Sequence, residues 1–461
     1  MSEEAAIEAY VAAVRGLLAR GGFERTGDPR EAKRFRLTHI AAYLEQAGHP
    51  ERRRTVHVAG SKGKGSMAVM VDSVLRAAGV HTLLLTSPDV HQARERVRVG
   101  GRPLSYAAFA ALAGRLLADP ATQGWSYFEL LTVLGWLAGA EAGCEWQVLE
   151  VGLGGRLDTT NVIERKEVAV IAPIDLEHTA ILGETIVEVA GEKAGILTGP
   201  CEAVIALLRQ SALEVVRARA AEVGATLHEV AEECALRVTA QTLDGQTLDL
   251  RTPLRMYRGL RLPLLGRHQA ENAAAAVRAA ELAWAAGGWA AGGGEPGAEL
   301  PAGAVAEGLA GVVWPGRFEV IRRRPLVIVD ALHTPLAAQR FRETVEALAL
   351  PQPRVLVVGL LAGRDATAIA RPLLGPHGDA ATVVVTAPDS ERAADPLVVE
   401  AAFRAEGALV QRAPDVVSAL GLARELAGEG GSVLVVGSLY TASEAREQLL
   451  GVSGDRAFGL R

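Results

Sequence analysis

Short runs of β-branched and apolar residues alternate with longer stretches of helical spacing along most of this chain. Residues 55–58, 81–85, 147–151, 168–174 and 203–207 read as buried strands. Between them, residues 67–78, 106–117, 128–142 and 208–223 repeat apolar positions at helical spacing. This alternation predicts an α/β fold whose mainly parallel sheet is covered on both faces. From residue 236 to 263 the pattern changes to short alternating segments, which predict antiparallel strands, and an alanine-rich helix over 270–286 follows. Residues 287–303, rich in Gly, Ala and Pro, predict a surface loop. The rhythm restarts with strands at 326–329, 355–360, 382–386 and 432–436, enough for a smaller second α/β domain. A chain of 461 residues exceeds one ordinary core. The boundary is placed at Trp314-Pro-Gly-Arg317, giving domains 1–316 and 317–461.

Composition narrows the partners. Hydrophobic residues are 49% and charged residues 22%, as in a globular protein. The net charge of −6 offers no general surface for nucleic acid or an anionic membrane, so an anionic substrate needs a local basic site. Three scattered cysteines, Cys144, Cys201 and Cys234, form neither a disulfide framework nor a metal spacing, and they suit a reducing cytoplasm. The acidic, amphipathic N-terminus is not patterned as a signal peptide. The apolar run 130–140 is too short to span a bilayer and predicts a buried helix.

The densest chemistry follows the first strand, in Gly60-Ser-Lys-Gly-Lys-Gly-Ser66. A strand, a glycine-rich turn carrying lysine and a helix start together cradle a phosphate. Glycine lets the backbone approach, the helix N-terminus adds its dipole, and lysine adds a full charge. The register differs from the common P-loop: Val58 stands where its first glycine belongs, and Gly65 precedes Ser66, read as the helix N-cap. Only five of the 48 basic residues are lysine, namely Lys33, Lys62, Lys64, Lys166 and Lys193. In an arginine-dominated chain, a retained lysine suggests a need for a compact charge or a changeable amine.

Further candidates lie at strand ends. Glu150 closes one strand before a glycine-rich run, Gly152-Leu-Gly-Gly155, and beside a phosphate loop such a carboxylate suits Mg²⁺. A structural pairing of Glu150 with arginine is the competing reading. His178 follows another strand as a ligand, an acid/base or a cap. Lys193 lies between small residues in Gly191-Glu-Lys-Ala-Gly195, where an ordinary surface lysine is the plain alternative. Asp330 and His333 follow the strand 326–329.

In order, these motifs make the chain resemble the folylpolyglutamate synthase/dihydrofolate synthase family, the folate branch of the Mur ligases. Matching pieces also include Thr86-Ser-Pro88, Glu95-Arg-Val-Arg-Val99, Ser126-Tyr-Phe-Glu129, Leu157-Asp158 within the 149–161 run, and Gly266-Arg-His-Gln-Ala-Glu-Asn272. Trp314-Pro-Gly-Arg-Phe-Glu319, Asp389-Ser390 and Gly437-Ser-Leu-Tyr440 complete the set.

The resemblance implies an N-terminal P-loop ATPase domain, a smaller C-terminal Rossmann-like domain and a cleft site between them. It implies an ATP-dependent ligase that adds L-glutamate to a folate, to dihydropteroate, or to both, through an acyl phosphate. Gly63, Lys64, Gly65 and Ser66 would hold the ATP phosphates, with Asn272, Arg317, Asp330 and His333 also contacting ATP. Ser87, Glu150 and His178 would ligate Mg²⁺. Lys193 would be carbamylated and, with Lys64 and His178, catalytic. Ser126, Tyr127, Phe128, Leu157 and Asp158 would lie by the pterin or folate. A cytoplasmic monomer without nucleic-acid or membrane partners is expected. The alternatives are a ligase acting on a non-folate carboxylate and a nucleotide-binding protein without turnover. The chain departs from the family pattern at Ser61, Lys62, Asp89, Glu177, Leu332 and Thr334.

Overall fold

The computed structural model describes residues 2–22, 28, 36–287, 298–375 and 382–460. Eight strands form the first sheet: β1 (Arg54–Ala59), β2 (Thr82–Leu85), β3 (Val97–Val99), β4 (Arg102–Pro103), β5 (Trp146–Glu150), β6 (Val168–Ile171), β7 (Glu202–Ile205) and β8 (Thr226–Glu229). Their order is β4-β3-β2-β5-β1-β6-β7-β8. The β2-β3 and β3-β4 pairs are antiparallel; the other pairs are parallel. β2, β5 and β6 are buried along their whole length and β1 from Thr55 onward, as the continuous apolar runs predict.

Helix Lys64–Ala77 packs on one face with the long helix Arg267–Ala285. Helix Tyr127–Glu141 packs on the other. The predicted antiparallel excursion is a three-stranded sheet, β9 (Ala235–Thr242), β10 (Gly245–Arg251) and β11 (Met256–Leu262), ordered β11-β10-β9.

The third sheet contains β12 (Glu319–Arg323), β13 (Leu326–Val329), β14 (Arg354–Val358), β15 (Thr382–Val385), β16 (Leu409–Arg412) and β17 (Ser432–Val436). Its order is β12-β13-β17-β14-β15-β16, parallel except for the β12 edge. The predicted loop 287–303 falls mostly outside the described residues, and its far end already belongs to helix Ala302–Ala310. No helix among the described residues is long and apolar enough to cross a membrane.

Beyond helix Leu439–Leu450 the chain returns to the N-terminal half. Tyr10 Oη donates to Asp455 Oδ1 at 2.9 Å, and the Ala93 N–H donates to Asp455 Oδ2 at 2.9 Å. Leu460 enters the apolar cluster of Tyr10, Leu17 and Phe109. The same helix buries Glu444, which accepts the Asp389 N–H at 2.7 Å and lies 3.5 Å from Arg456.

Burial pushes the Glu444 carboxyl up to about 7, outweighing the Asp389 N–H and Arg456; Asp389 and Glu447 push it the same way. The folded state therefore holds the proton more tightly than the unfolded chain. That stability is complete below the unfolded value of 4.5 and is lost as pH rises through about 7. Glu444→Gln keeps a carbonyl acceptor without the charge. It should raise the melting temperature more at pH 8 than at pH 5, checked by thermal melts across that range. An equal shift at both values would refute the assignment.

Candidate active site

Four adjacent strands, β2, β5, β1 and β6, end on one edge of the first sheet. Their carboxyl ends lead into Ser87, Glu150, the Gly60–Ser66 turn and the Asp175–His178 loop. The third sheet presents the ends of β13, β14 and β17 to the same cleft. In α/β proteins the carboxyl edge collects sites because loops and helix N-termini converge there. The cleft has a volume of ≈ 900 Å³.

The phosphate turn is shaped by close approach. Gly63 has φ 82° and is the N-cap of helix Lys64–Ala77. That corrects the expectation for Ser66, which is inside the helix; no side chain caps this end. Leaving the first N–H groups uncapped keeps them free for an anion. A Cβ on Gly63 would stand 2.7 Å from Asn272 Oδ1. One on Gly65 would stand 2.7 Å from Trp314 Cζ2 and 3.1 Å from Glu150 Oε2. Asn272, Trp314 and Glu150 thus close around the turn, and only glycine fits between them.

Glu150 is 6% exposed and accepts the Ser87 N–H at 3.0 Å. It has no ion pair among the described residues. Burial raises its pKa, against the pull of Lys64. A desolvated carboxylate outside any direct ion pair, beside Ser87 and a phosphate turn, fits the donor set of Mg²⁺. His178 reaches the open cleft from the left-handed region, with φ 47°. The cleft walls, then Arg364, Lys64 and Lys193, hold its imidazole below the ordinary range despite Glu177. It is therefore neutral and able to coordinate. No group of three or more His, Cys, Asp or Glu among the described residues forms a ready metal cluster.

Lys193 is not on the cleft wall. It is 1% exposed, one layer behind the phosphate turn. Its Nζ donates to Gly60 O at 2.8 Å and Glu177 Oε1 at 2.7 Å. Lys62 reaches the other oxygen, Oε2, at 3.4 Å. Burial works against ionised Glu177, but Lys64, Lys193 and Lys62 outweigh it and hold its pKa at about 2. Burial lowers Lys193 to about 8.

Across the cleft, Asp330 accepts the Phe318 and Leu332 N–H groups, each at 2.7 Å. Oδ2 therefore holds the turn that carries Arg317, and Oδ1 holds the loop that follows Asp330 itself. His333 Nδ1 donates to Ala331 O at 3.0 Å; burial, then Lys62 and Arg364, drive its pKa down to about 3, so the ring is neutral. Asn272 is buried and donates to Gln269 Oε1 at 3.1 Å.

The pterin-side candidates also line the cleft. Ser126 caps helix Tyr127–Glu141 in a box with Glu129. Arg96 lies over the Tyr127 ring at 5.1 Å, and Phe128 fills the space beside Gly152. Asp158 Oδ2 takes the Leu153 N–H at 2.9 Å, and Oδ1 takes the Thr160 N–H at 3.0 Å. It builds the glycine-rich loop, while Leu157 lines the wall.

All the candidates but Lys193 therefore line one cleft. Not anticipated as site residues were Glu177, Arg364, Arg392 and His268, and Lys62 was placed in the phosphate turn without a role of its own. Lysine scarcity signalled Lys62, and the strand end before Gly363-Arg-Asp365 could have signalled Arg364. Nothing in the sequence pointed to Arg392.

Residues 58–280 match the Mur ligase middle domain, and residues 316–439 match the Mur ligase, glutamate ligase domain. The dihydrofolate synthase/folylpolyglutamate synthase of Mycobacterium tuberculosis is 34% identical, over 89% of this chain and 89% of its own. A probable bifunctional folylpolyglutamate synthase/dihydropteroate synthase of Haloferax volcanii is 34% identical over 88% of this chain, which spans 47% of that longer protein. The M. tuberculosis folylpolyglutamate synthase complexed with ADP and AMPPCP superposes with a TM-score of 0.81 at 33% identity, covering 92% of this chain and 97% of that one. E. coli FolC in complex with DHPP and ADP gives 0.78 at 26%, covering 92% and 97%. The fold is that of a Mur ligase. Within that class, the chain belongs to the folylpolyglutamate synthase/dihydrofolate synthase family.

Lys64→Ala should lower turnover by about a hundredfold or more while the melting temperature stays near wild type, because the side chain is in the cleft and not the core. Lys64→Arg should fail too, as the planar fork does not fit between the glycines. Steady-state kinetics and thermal melts check both. Gly65→Ala should also inactivate, and a structure of that variant should show Trp314 displaced.

Proposed function

We propose that this protein is an ATP-dependent ligase joining the amine of L-glutamate to the carboxylate of a folate, of dihydropteroate, or of both. The supporting observation is the single cleft that takes the phosphate turn from one sheet and Arg317, Asp330, His333 and Arg364 from around the other. A carboxylate oxygen of the acceptor attacks the terminal phosphorus of ATP, and the bond to the ADP oxygen breaks. The glutamate nitrogen then attacks the acyl carbon. The carbon–oxygen bond to phosphate breaks, phosphate leaves with the electron pair, and the nitrogen loses its proton. Lys64, Lys62 and the helix N-terminus offset the negative charge on the transferring group. Gly63, Gly65 and Asn272 set its position.

Ser87, Glu150 and His178 would hold Mg²⁺, which supplies charge neutralisation to the phosphates. The pterin side is assigned to Ser126, Tyr127, Phe128, Leu157 and Asp158. The division into 1–316 and 317–461 follows the change of sheet, with the closing tail returning to the first part. Water must be kept from the acyl phosphate, which favours closure of the two parts. The reading includes a cytoplasmic monomer without nucleic-acid or membrane partners. Its three unpaired thiols suit such a compartment.

Carbamylation of Lys193 belongs to the same reading. The lowered pKa supplies the neutral amine, whose nitrogen would bond to the carbon of CO₂ with release of a proton. The ion pair with Glu177 must be given up. Active enzyme in isotope-labelled bicarbonate should show a carbamate signal that Lys193→Ala lacks. A plain lysine in an active, bicarbonate-equilibrated sample would leave the residue as the partner of Glu177.

Phosphate release from ATP with L-glutamate tests the activity across pteroates, folates and muramyl precursors. The fastest turnover is expected with a pteroate or folate. Faster turnover with a muramyl precursor would move the acceptor to the other branch, and none with any acceptor would leave a nucleotide-binding protein.

A further inference from the structure

Arg446 is 7% exposed, on the buried side of helix Leu439–Leu450. Its guanidinium grips Glu319 as a fork, Nε to Oε2 at 2.7 Å and Nη2 to Oε1 at 3.1 Å. Its remaining arm, Nη1, donates to His91 Nε2. A guanidinium has no acceptor, so His91 Nε2 presents its lone pair and Nδ1 carries the ring proton. Two oxygens stand ready for that proton, Glu447 Oε1 and Ser443 Oγ, each at 3.2 Å. Arg456 holds Glu447 in turn, and the Asp455 N–H donates to the His91 carbonyl at 2.8 Å. The chain of contacts runs from half-buried Glu319 through buried Arg446 and His91 to Glu447, so each bond helps fix the next.

Two members of this chain of contacts, Glu319 and His91, reach segments that border the cleft. Glu319 Oε2 accepts the Gly316 N–H at 2.7 Å, immediately before Arg317. That turn contains Gly316 at φ 69° and Phe318 at φ 44°, backbone that needs outside support. Asp330 supports it from the cleft side and Glu319 from the rear. His91 lies four residues after Ser87, in the loop whose Val90 and His91 N–H groups are held by Glu95 Oε2. Arg446, Glu319 and His91 themselves do not line the cleft.

We propose that Arg446 is a positioning residue for the ligase reaction. Through Glu319 it fixes the turn that aims Arg317 into the cleft, and through His91 it fixes the loop that carries Ser87. One guanidinium thus sets two nucleotide-side groups, from different sheets, relative to each other. The proposal rests on the reading that Arg317 and Ser87 serve ATP.

The test compares Arg446→Gln, Arg446→Lys, Glu319→Gln and the double variant Arg446→Gln/Glu319→Gln, with Arg317→Ala as reference. Arg446→Gln should raise KM for ATP about tenfold or more, since small displacements of positioned groups cost that much, and leave KM for the folate substrate unchanged. Arg446→Lys should recover part of the loss, because an ammonium can hold Glu319 or His91 but not both in the fork geometry. Glu319→Gln still accepts the Gly316 N–H but loses the charge and the acceptor for Arg446 Nη2, which weakens the link to Arg446. The double variant should be no worse than the worse single one, because both act on the same link.

If Arg446→Gln does not fold, Arg446→Lys and Glu319→Gln carry the comparison. A lower melting temperature with unchanged KM for ATP in all of them would make Arg446 merely structural and overturn the proposal. If Arg317→Ala raises KM for ATP while the Arg446 and Glu319 variants do not, the positioning role alone is wrong. If Arg317→Ala also leaves KM for ATP unchanged, the nucleotide assignment of Arg317 falls and the proposal with it.

Discussion

One carboxylate anchors the electrostatics of this cleft. Glu177 lies among Lys62, Lys64 and Lys193, and it is the counter-charge of the lysine buried behind the phosphate turn. A buried ammonium is costly unless paired. Without Glu177, Lys193 would have Gly60 O as its remaining partner, and the turn would rest on a desolvated, unbalanced cation. The pairing is also incomplete by design of charge: one carboxylate faces three lysines. The surplus stays directed at the cleft, where a polyanionic substrate can use it. The chain as a whole carries −6, so this positive field is local.

Burial, helped by neighbouring cations, accounts for the histidines. His178, His333 and His268 all sit below the ordinary imidazole range, with burial first and neighbouring cations second. Neutral rings near lysine and arginine add no further positive charge. They remain available as ligands or hydrogen-bonding groups. The acidic side obeys the converse rule. Burial raises Glu150 and Asp330, and each is answered by backbone N–H donors and nearby cations. The cleft is therefore polar without being a network of mutually cancelling ion pairs.

Backbone geometry keeps these groups in register. The parallel order β2-β5-β1-β6 sets four loops side by side, and Gly63 and Gly65 let Asn272, Trp314 and Glu150 approach the turn. The third sheet supplies its groups from a different part of the chain. Buried contacts behind the cleft, from Tyr10 to Asp455 and from His91 to Arg446, join segments more than 300 residues apart.

Much of this was legible in the sequence. Apolar runs of strand length and helices of period 3.6 fixed the α/β class, because burial on two faces demands that pattern. The glycines, lysines and helix start at residues 60–66 announced a phosphate turn, since no other common arrangement needs them together. The placing of Glu150, His178 and Asp330 at the edge that lines the cleft was legible because strand ends are visible along a chain. The tertiary structure decided what depends on meetings between distant segments. It put Lys193 behind the wall and paired it with Glu177. It engaged both oxygens of Asp330 and of Asp158 with backbone N–H groups, and it moved the helix N-cap from Ser66 to Gly63. It also brought Arg364 and Arg392 to the cleft and Arg446 to His91. Local pattern reports the conformation a segment favours and the face it buries. The partner of a buried charge is set by the folding of the whole chain, through the cost of leaving that charge alone.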